Sequence, residues 1–201
     1  LTFDNKHPFD GRNLIIPGEN DSLRKKVIIS CHYDAVTGSP GANDNASGMV
    51  VTLDLIKKLR DNNLKNFDVE FVFFDKEELG CMGSKAYVEK HGTKNILGVY
   101  NLDMVGMGNE ILLWDLNTYD DRNNPALGTL CSTIENEGIK FHRINSLLGG
   151  RADHINFRGS LGNNAFTITT ISKEDFVLYN RYKREVEDLG SPYEKCLNHY
   201  F

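Results

Sequence analysis

Short apolar runs, each ended by polar or turn-forming residues, recur along this chain. They are rich in β-branched and aromatic side chains, as in residues 69–74 (VEFVFF), and such runs are typical of strands in the interior of a sheet. The predicted strands cover residues 13–16, 27–31, 69–74, 96–102, 111–114, 139–144 and 165–171.

Between most of these runs lie longer stretches in which apolar residues recur every three or four positions. Met49, Leu53 and Ile56 share one face of the first stretch, which predicts an amphipathic helix. The predicted helices cover residues 46–60, 81–89, 125–137 and 173–189, with a short helix after residues 151–154. Because strands alternate with helices of about ten residues or more, the chain is predicted to adopt an α/β fold with a largely parallel central sheet.

Composition narrows the function classes. The chain has 201 residues and a net charge of -5, without a Lys/Arg stripe interleaved with aromatics, so we expect one domain (residues 1–201) and no nucleic-acid partner. No apolar stretch approaches the ~18 residues of a membrane span, and no signal-peptide pattern is visible. We therefore expect a soluble protein, cytoplasmic or secreted after signal removal. Because the chain starts at Leu1 rather than Met, a processed precursor stays open.

The four cysteines do not form a CxxC pair. Such wide spacing does not require disulfides in a chain that has its own core. Cys31 and Cys81 each neighbour a segment with candidate site residues. A free cysteine is commonly a small buried apolar residue, and we expect that role for both.

Acidic and histidine side chains stand where predicted strands end. His32 follows one strand, the pair Glu77 and Glu78 follows the next, and a third is closed by Asp103. Asp44 lies on the loop that leaves the first of these strands. In open α/β sheets, ligands bind beyond the carboxyl ends of the strands, so these side chains are predicted to meet at one edge.

Carboxylates crowded at one edge repel each other unless a cation lies between them. One histidine with three carboxylates exceeds the usual ligand set of a single tetrahedral zinc, whereas two metal ions about 3.5–4 Å apart would use them all. A remaining acid can act as a base on a metal-bound water, which suits hydrolysis. Asp34, two residues after His32, is suited to accept a hydrogen bond from the second ring nitrogen.

Each of these residues alone also has a plainer explanation. Glu77 and Glu78 could form a solvated turn, and Asp103 could cap a turn. Asp44 could cap the helix predicted from Ala46. Their common position at strand ends favours a metal site over these separate explanations.

Longer segments of the chain resemble a known family. They are HYD at 32–34, GANDNASG at 41–48, EELGCMGS at 77–84, NLDMVG at 101–106 and ADHINF at 152–157. In this order they resemble the zinc aminopeptidases of peptidase family M28. The resemblance implies a three-layer α/β/α fold of the phosphorylase/hydrolase type, with a mixed, mostly parallel central sheet.

The resemblance also implies a co-catalytic pair of zinc ions. It places His32 and Asp103 on one zinc and Glu78 on the other, with Asp44 bridging both. Glu77 would be the general base, taking a proton from the bridging water. A zinc-bridging hydroxide would then attack the first peptide carbonyl, and Glu77 would deliver the proton to the leaving amine.

Two further residues receive supporting roles from the resemblance. Asp34 would orient His32, and Asp153 would lie near the substrate pocket. The implied substrates are peptides with a free amino terminus, which acidic residues at the pocket rim would recognise. The oligomeric state and the preferred amino-terminal residue stay open.

The last zinc ligand of the family is a histidine near the C-terminus, and here the pattern departs. Only His199 lies in that region, in NHYF. Either His199 is the ligand in a variant setting, or the ligand lies beyond Phe201 and the domain is truncated at its C-terminus. We expect two zinc ions in the first case and one in the second. His154 is a weaker third candidate.

Other functions on a similar scaffold compete with this prediction. A glutaminyl cyclase uses one zinc and does not hydrolyse, but the absence of an insertion within EELGCMGS at 77–84 favours the peptidase. A carboxypeptidase or dipeptidase of related fold stays open. A catalytically impaired binding module is a further alternative, which only the departure at the C-terminus supports.

Overall fold

The computed structural model describes residues 10–18, 24–59, 64, 66–114, 124–144 and 151–189, with side chains up to residue 184. Within these residues the strands form one seven-stranded sheet. The strands are β1 (Leu14–Ile16), β2 (Lys26–His32), β3 (Asp68–Phe74), β4 (Ile96–Leu102), β5 (Glu110–Trp114), β6 (Phe141–Arg143) and β7 (Ala165–Ile171).

The strand order of the sheet is β1-β3-β2-β4-β7-β5-β6. Its centre, from β3 to β7, is parallel. At one side β1 runs antiparallel to β3, and at the other β5 runs antiparallel to β7 while pairing in parallel with β6. The sheet is therefore mixed and mostly parallel, which confirms the predicted α/β class.

Helices cover both faces of the sheet. They are α1 (Gly48–Leu59), α2 (Met82–His91), α3 (Pro125–Asn136), α4 (Ile155–Leu161) and α5 (Lys173–Leu189). Apolar side chains of α1 and α3 pack on one face, and those of α2, α4 and α5 pack on the other. The predicted three-layer arrangement is confirmed.

The alternation of side chains along the central strands produces the two cores. On β2, Ile28 faces Tyr87 of α2 and Phe157 of α4, whereas Cys31 faces the α1 side with Met49. Because both faces of the strand are covered, its sequence is apolar almost throughout. This is why the strands could be recognised from the sequence as continuous apolar runs.

The predicted elements lie within two residues of the observed bounds. The strand predicted over 139–144 is shorter, at Phe141–Arg143. The helix predicted from residue 46 begins at Gly48, because Asp44 and Asn45 have non-helical backbone angles. In the part of the chain that the structure describes, no helix is both long and apolar enough to cross a membrane.

Candidate metal centre

The path of the chain through the sheet opens a crevice at the end of β2. From β2 the chain passes through α1 to β3 on one side, and from β3 through α2 to β4 on the other side. The carboxyl ends of these three parallel strands reach the same edge, and the loops that leave them diverge there. Such a reversal of strand order is where open α/β sheets bind ligands.

His32 is the last residue of β2, and only 1% of its surface is exposed. Its Nδ1 lies 3.1 Å from the backbone carbonyl oxygen of Asp34 and 3.4 Å from the Asp34 carboxylate. A carbonyl oxygen only accepts hydrogen bonds, so Nδ1 carries the proton and the neutral ring presents the lone pair of Nε2. Nε2 lies 2.9 Å from Asp44 Oδ1 and 3.7 Å from Asp103 Oδ1.

Because carboxylate oxygens lie this close to Nε2 of His32, a positive charge at this nitrogen is stabilised. It is buried and makes no well-directed hydrogen bond with the described residues, although carboxylate oxygens face it. Burial alone would lower the pKa of His32, but the carboxylates of Asp103, Asp34 and Asp44 raise it above its ordinary value. A metal cation supplies the same positive charge and leaves Nε2 to act as a ligand, so these residues fit a metal ion.

Asp44 reaches His32 from a distorted turn, Ala42–Ser47, which we call the Asp44 loop. Gly41 enters this loop in the left-handed region, at φ 64°, which favours glycine. Asp44 then leaves the helical region, at φ -110° and ψ 91°, and its peptide bond to Asn45 is cis. The turn ends where α1 begins.

Asn45 ties the Asp44 loop to the end of β4. Its Nδ2 donates to the carbonyl oxygen of Leu102 at 2.9 Å, and its Oδ1 accepts the backbone N–H of Gly48 at 3.0 Å. Asn45 thus caps the first turn of α1, so the explanation of Asp44 as the cap is wrong. The Asp44 carboxylate faces His32 instead.

Asp103 directly follows β4 and is 7% exposed. Side chains of the Asp44 loop hold the segment after it. Ser47 Oγ accepts the N–H of Val105 at 3.0 Å, and Asn43 Oδ1 accepts the N–H of Gly106 at 3.0 Å. The two loops that carry these aspartates are therefore joined to each other by hydrogen bonds.

Glu77 and Glu78 lie on the loop between β3 and α2, residues 75–81, which we call the Glu77 loop. The Asp34 carboxylate accepts the backbone N–H groups of Glu77 at 3.0 Å and Glu78 at 3.2 Å. Burial alone would raise the pKa of Asp34, but His32 and these two N–H groups hold it below its ordinary value. Asp34 therefore fixes the Glu77 loop as well as the histidine.

Glu78 adds a further carboxylate to those of Asp34, Asp44 and Asp103 around His32. One potential ligand atom from each of His32, Asp44 and Glu78 lies within 4.8 Å of the others. Burial and the neighbouring Asp44 raise the pKa of Glu78. One imidazole nitrogen with carboxylate oxygens from Asp44, Glu78 and Asp103 is a ligand set that zinc accepts.

Glu77 is more enclosed than Glu78, with 9% of its surface exposed. Burial and the charge of Asp153 raise the pKa of Glu77 to about 8. Its Oε1 lies 3.4 Å from the Sγ of Cys81. A carboxyl group that exchanges its proton near neutral pH has the property required of a general base or acid.

Asp153, expected near the substrate pocket, is fully enclosed. Neither of its carboxylate oxygens has a hydrogen-bond partner among the described residues. Burial raises the pKa of Asp153 to about 7, although the nearby Ser84 hydroxyl lowers it in part. Its charge raises the pKa values of Glu77 and Cys81, so it affects the site electrostatically. Its role in substrate binding stays a prediction.

The histidines considered as the last ligand are not in this cluster. His154 is buried, with its Nδ1 2.6 Å from Thr167 Oγ1 and its ring edge-on to Trp114 at 5.4 Å between centroids. It is not among the residues that the structure brings together around His32. His199 lies outside the described residues, so its assignment stays a prediction.

Sequence reasoning missed several residues that shape the site. Asn45 lies in the segment GANDNASG at 41–48, and no local pattern indicated that it anchors the Asp44 loop. Cys81 was expected to be a buried apolar residue, and it is buried, but its thiol also contacts Glu77. Asn156 contacts the backbone of Cys81, 75 residues away in sequence. No local pattern could have identified that contact.

Comparison with known proteins agrees with this geometry. A model of the family described as peptidase family M28 matches residues 13–188. Aminopeptidase YwaD of Bacillus subtilis is 34% identical over 140 residues, which cover 65% of this chain and 29% of YwaD. A structure of BSAP, a zinc aminopeptidase from Bacillus subtilis, matches with a TM-score of 0.65 at 29% identity, over 81% of this chain and 40% of that one. The chain thus spans less than half the length of these relatives.

A glutaminyl cyclase is also among the similar structures. The enzyme from Porphyromonas gingivalis matches with a TM-score of 0.64 and 20% identity, over 82% of this chain and 63% of that one. At that identity the likeness concerns the fold alone.

Proposed function

The chain belongs to peptidase family M28, and we propose that it acts as a zinc-dependent aminopeptidase on peptides with a free amino terminus. The observation that carries this proposal is the buried Nε2 of His32, which faces carboxylate oxygens beside the enclosed carboxyl group of Glu77. The zinc aminopeptidases among the similar proteins support the choice of metal and reaction. We further propose that residues 1–201 belong to a single catalytic domain whose C-terminal part can extend beyond Phe201, since the described strands share one sheet.

In this proposal His32 and Asp103 would hold one zinc ion, Glu78 would hold a second, and Asp44 would be a ligand of both. Asp44 is suited to that role because its side chain is 42% exposed, its Oδ1 lies 2.9 Å from His32 Nε2, and one ligand atom of each of Asp44, His32 and Glu78 lies within 4.8 Å of the others. When bound, zinc supplies Lewis acidity towards the peptide carbonyl and makes a water molecule acidic. Asp34 keeps the proton on Nδ1 of His32, so that Nε2 stays oriented towards the metal.

Glu77 moves the proton. Its carboxylate accepts a proton from the attacking water and returns it to the nitrogen of the leaving group. Burial raises the pKa of this carboxylate to about 8 in the metal-free protein, and a cation bound beside it would lower that pKa and favour the ionised form. The substrate's amino group is positively charged, and acidic side chains at the rim of the pocket would attract it.

The proposal is tested by Glu77→Gln, which removes the proton acceptor and leaves the shape nearly unchanged. We expect kcat on an aminoacyl-nitroanilide to fall by ~10²–10⁴-fold, with an unchanged zinc content by elemental analysis. Glu89→Gln, an exposed change on α2, is the matched control and should keep full activity. A Glu77→Gln protein that turns over substrate at the wild-type rate would exclude Glu77 as the base.

The number of zinc ions is tested separately. We propose two per chain with His199 as the last ligand, and one if that ligand lies beyond Phe201. Elemental analysis of the wild type should give about two zinc ions, and His199→Ala should reduce the content to about one. An unchanged content in His199→Ala would remove His199 from the ligand set.

A further inference from the structure

The carboxylate of Glu77 contacts the thiol of Cys81, a residue that has no role in the proposed reaction. In the part of the chain that the structure describes, the thiol of Cys81 is the hydrogen-bond donor found for this carboxylate, with Sγ 3.4 Å from Oε1. Cys81 is 1% exposed, so water does not replace this contact. Burial and the charges of Asp153 and Glu77 raise the pKa of Cys81, which keeps the sulfur protonated as a donor.

The backbone directs the Cys81 thiol towards Glu77. Cys81 has a left-handed conformation, with φ 57° and ψ 38°, immediately before α2. The N–H groups of Gly80 and Cys81 both donate to the carbonyl oxygen of Glu77, each at 2.8 Å. This tight turn brings the side chains of residues 77 and 81 to the same side. Left-handed geometry is unfavourable for a residue with a Cβ, so surrounding contacts must hold it.

Asn156 supplies those contacts from another element. This residue lies on α4, and its Nδ2 donates to the carbonyl oxygen of Cys81 at 3.0 Å and to Ser84 Oγ at 2.8 Å. The Ser84 hydroxyl in turn donates to the same Cys81 carbonyl at 3.1 Å. The carbonyl of the strained residue is therefore held from two sides, by α2 itself and by the helix that packs beside it.

We propose that Cys81 and Asn156 are positioning residues for Glu77: the thiol fixes the rotation of the carboxylate, and Asn156 holds the turn that presents the thiol. This inference rests on the proposed role of Glu77 as base. One carboxylate oxygen is occupied by the S–H donor, and the other is directed to the reacting water. A small misplacement of a reacting group can cost ~10²-fold in rate, so the contact acts on kcat.

The first test compares Cys81→Ala, which has no donor, with Cys81→Ser, which keeps one. We expect Cys81→Ala to lower kcat by ~10–100-fold with KM within about twofold, and Cys81→Ser to recover most of the loss. Cys131→Ala, which empties a buried thiol position on α3, is the matched control and should keep kcat. Equal kcat in all variants, or an equal loss in the Ala and Ser variants, would overturn the proposal.

The second test does not depend on activity. In the metal-free protein, the ¹³C resonance of the Glu77 side-chain carboxyl should shift in Cys81→Ala and in Asn156→Ala, and return towards the wild-type position in Cys81→Ser. Asn180→Ala, which removes a side-chain hydrogen bond within α5, should leave it unchanged. An unmoved resonance would overturn the positioning role even in an active enzyme. If the wild-type protein is inactive but the Glu77 resonance shifts in the variants as expected, the proposed function is wrong and the positioning role of Cys81 and Asn156 is retained.

Discussion

At the scale of single residues, His32 shows how this site selects a cation. Its Nδ1 proton is committed to the Asp34 carbonyl, while its Nε2 faces oxygens of Asp44 and Asp103. Without a cation the ring relieves this crowding by holding a second proton, which is why its pKa is raised. Zinc and that proton therefore compete for the same nitrogen, and metal binding releases the proton.

Asp34 is expected to increase the affinity for zinc, although it is not a proposed zinc ligand. Asp34→Asn weakens its hold on His32 and on the N–H groups of the Glu77 loop. We expect zinc affinity, measured by competition with a chelator, to fall by ~10–100-fold. Asp54→Asn, an exposed change on α1, is the control. Unchanged affinity in Asp34→Asn would show that the histidine is oriented without it.

Asp153 gives a prediction about pH. Its pKa is raised to about 7 in the folded protein, so the folded state binds this proton more tightly than the unfolded state. Its contribution to stability is therefore fully present below about pH 4 and is lost as pH rises through about 7. The loss is at most ~4 kcal/mol.

Asp153→Asn removes this titration. Urea unfolding of metal-free protein at pH 5 and pH 8 should show the variant gaining stability relative to wild type as the pH rises. The comparison between two proteins cancels the carboxyl groups that Asp153 does not influence. In the variant the pKa of Glu77 falls because the charge of Asp153 is gone, which changes the difference in the same direction. A difference between variant and wild type that is the same at both values would contradict the raised pKa.

At the scale of elements, the Asp44 loop is the part whose structure the sequence predicted least well. A helix was predicted from Ala46, three residues before Met49, where its apolar periodicity begins, but regular structure begins at Gly48. Hydrogen bonds to the last residue of β4 and to the segment after it outweigh the local preference. The strands were predicted well because a doubly covered strand must be apolar along its length, which is a local property.

Asn45→Ala tests how the Asp44 loop is held. The change leaves the Leu102 carbonyl and the Gly48 N–H without their partner in a buried place, and we expect ~2–4 kcal/mol lower stability of the metal-free protein in urea. Asn43→Ala should cost less, because the Gly106 N–H that it frees is exposed to water. Equal costs in the two variants would show that Asn45 is not the principal anchor.

At the scale of the whole molecule, the sheet gathers negative charge at one edge. Residues from β2, the Asp44 loop, the Glu77 loop and the end of β4 meet there, although they come from separate parts of the chain. Their repulsion opposes folding, and a bound cation offsets it. Metal binding should therefore stabilise the fold as a whole.

Thermal unfolding measures that coupling. Zinc at ~100 times its Kd should add ~2.7 kcal/mol to the free energy of unfolding of the wild type, and a chelator should reverse the rise in Tm. Glu78→Gln should reduce the rise, while the exposed change Glu135→Gln on α3 should not. An equal rise in Tm for wild type and Glu78→Gln would place the zinc elsewhere.

The amino-acid sequence alone determined the order of the strands and helices, their bounds to within two residues, the α/β class and the family. It also placed His32, Glu77, Glu78 and Asp103 after strands that share an edge. These properties follow from local patterns, because apolar periodicity and the residue at the end of a strand are visible in a short stretch of sequence. The parallel topology then follows from the alternation of the elements.

Only the tertiary structure decided how those residues are oriented and enclosed. Asp153 is buried, and Asn156 supports Cys81, through contacts between groups that are distant in sequence. Asn45 caps α1 because the turn before this helix departs from its local preference. Such contacts form because packing brings buried polar atoms close to a hydrogen-bond partner from another part of the chain. The local sequence pattern does not predict which residue that partner is.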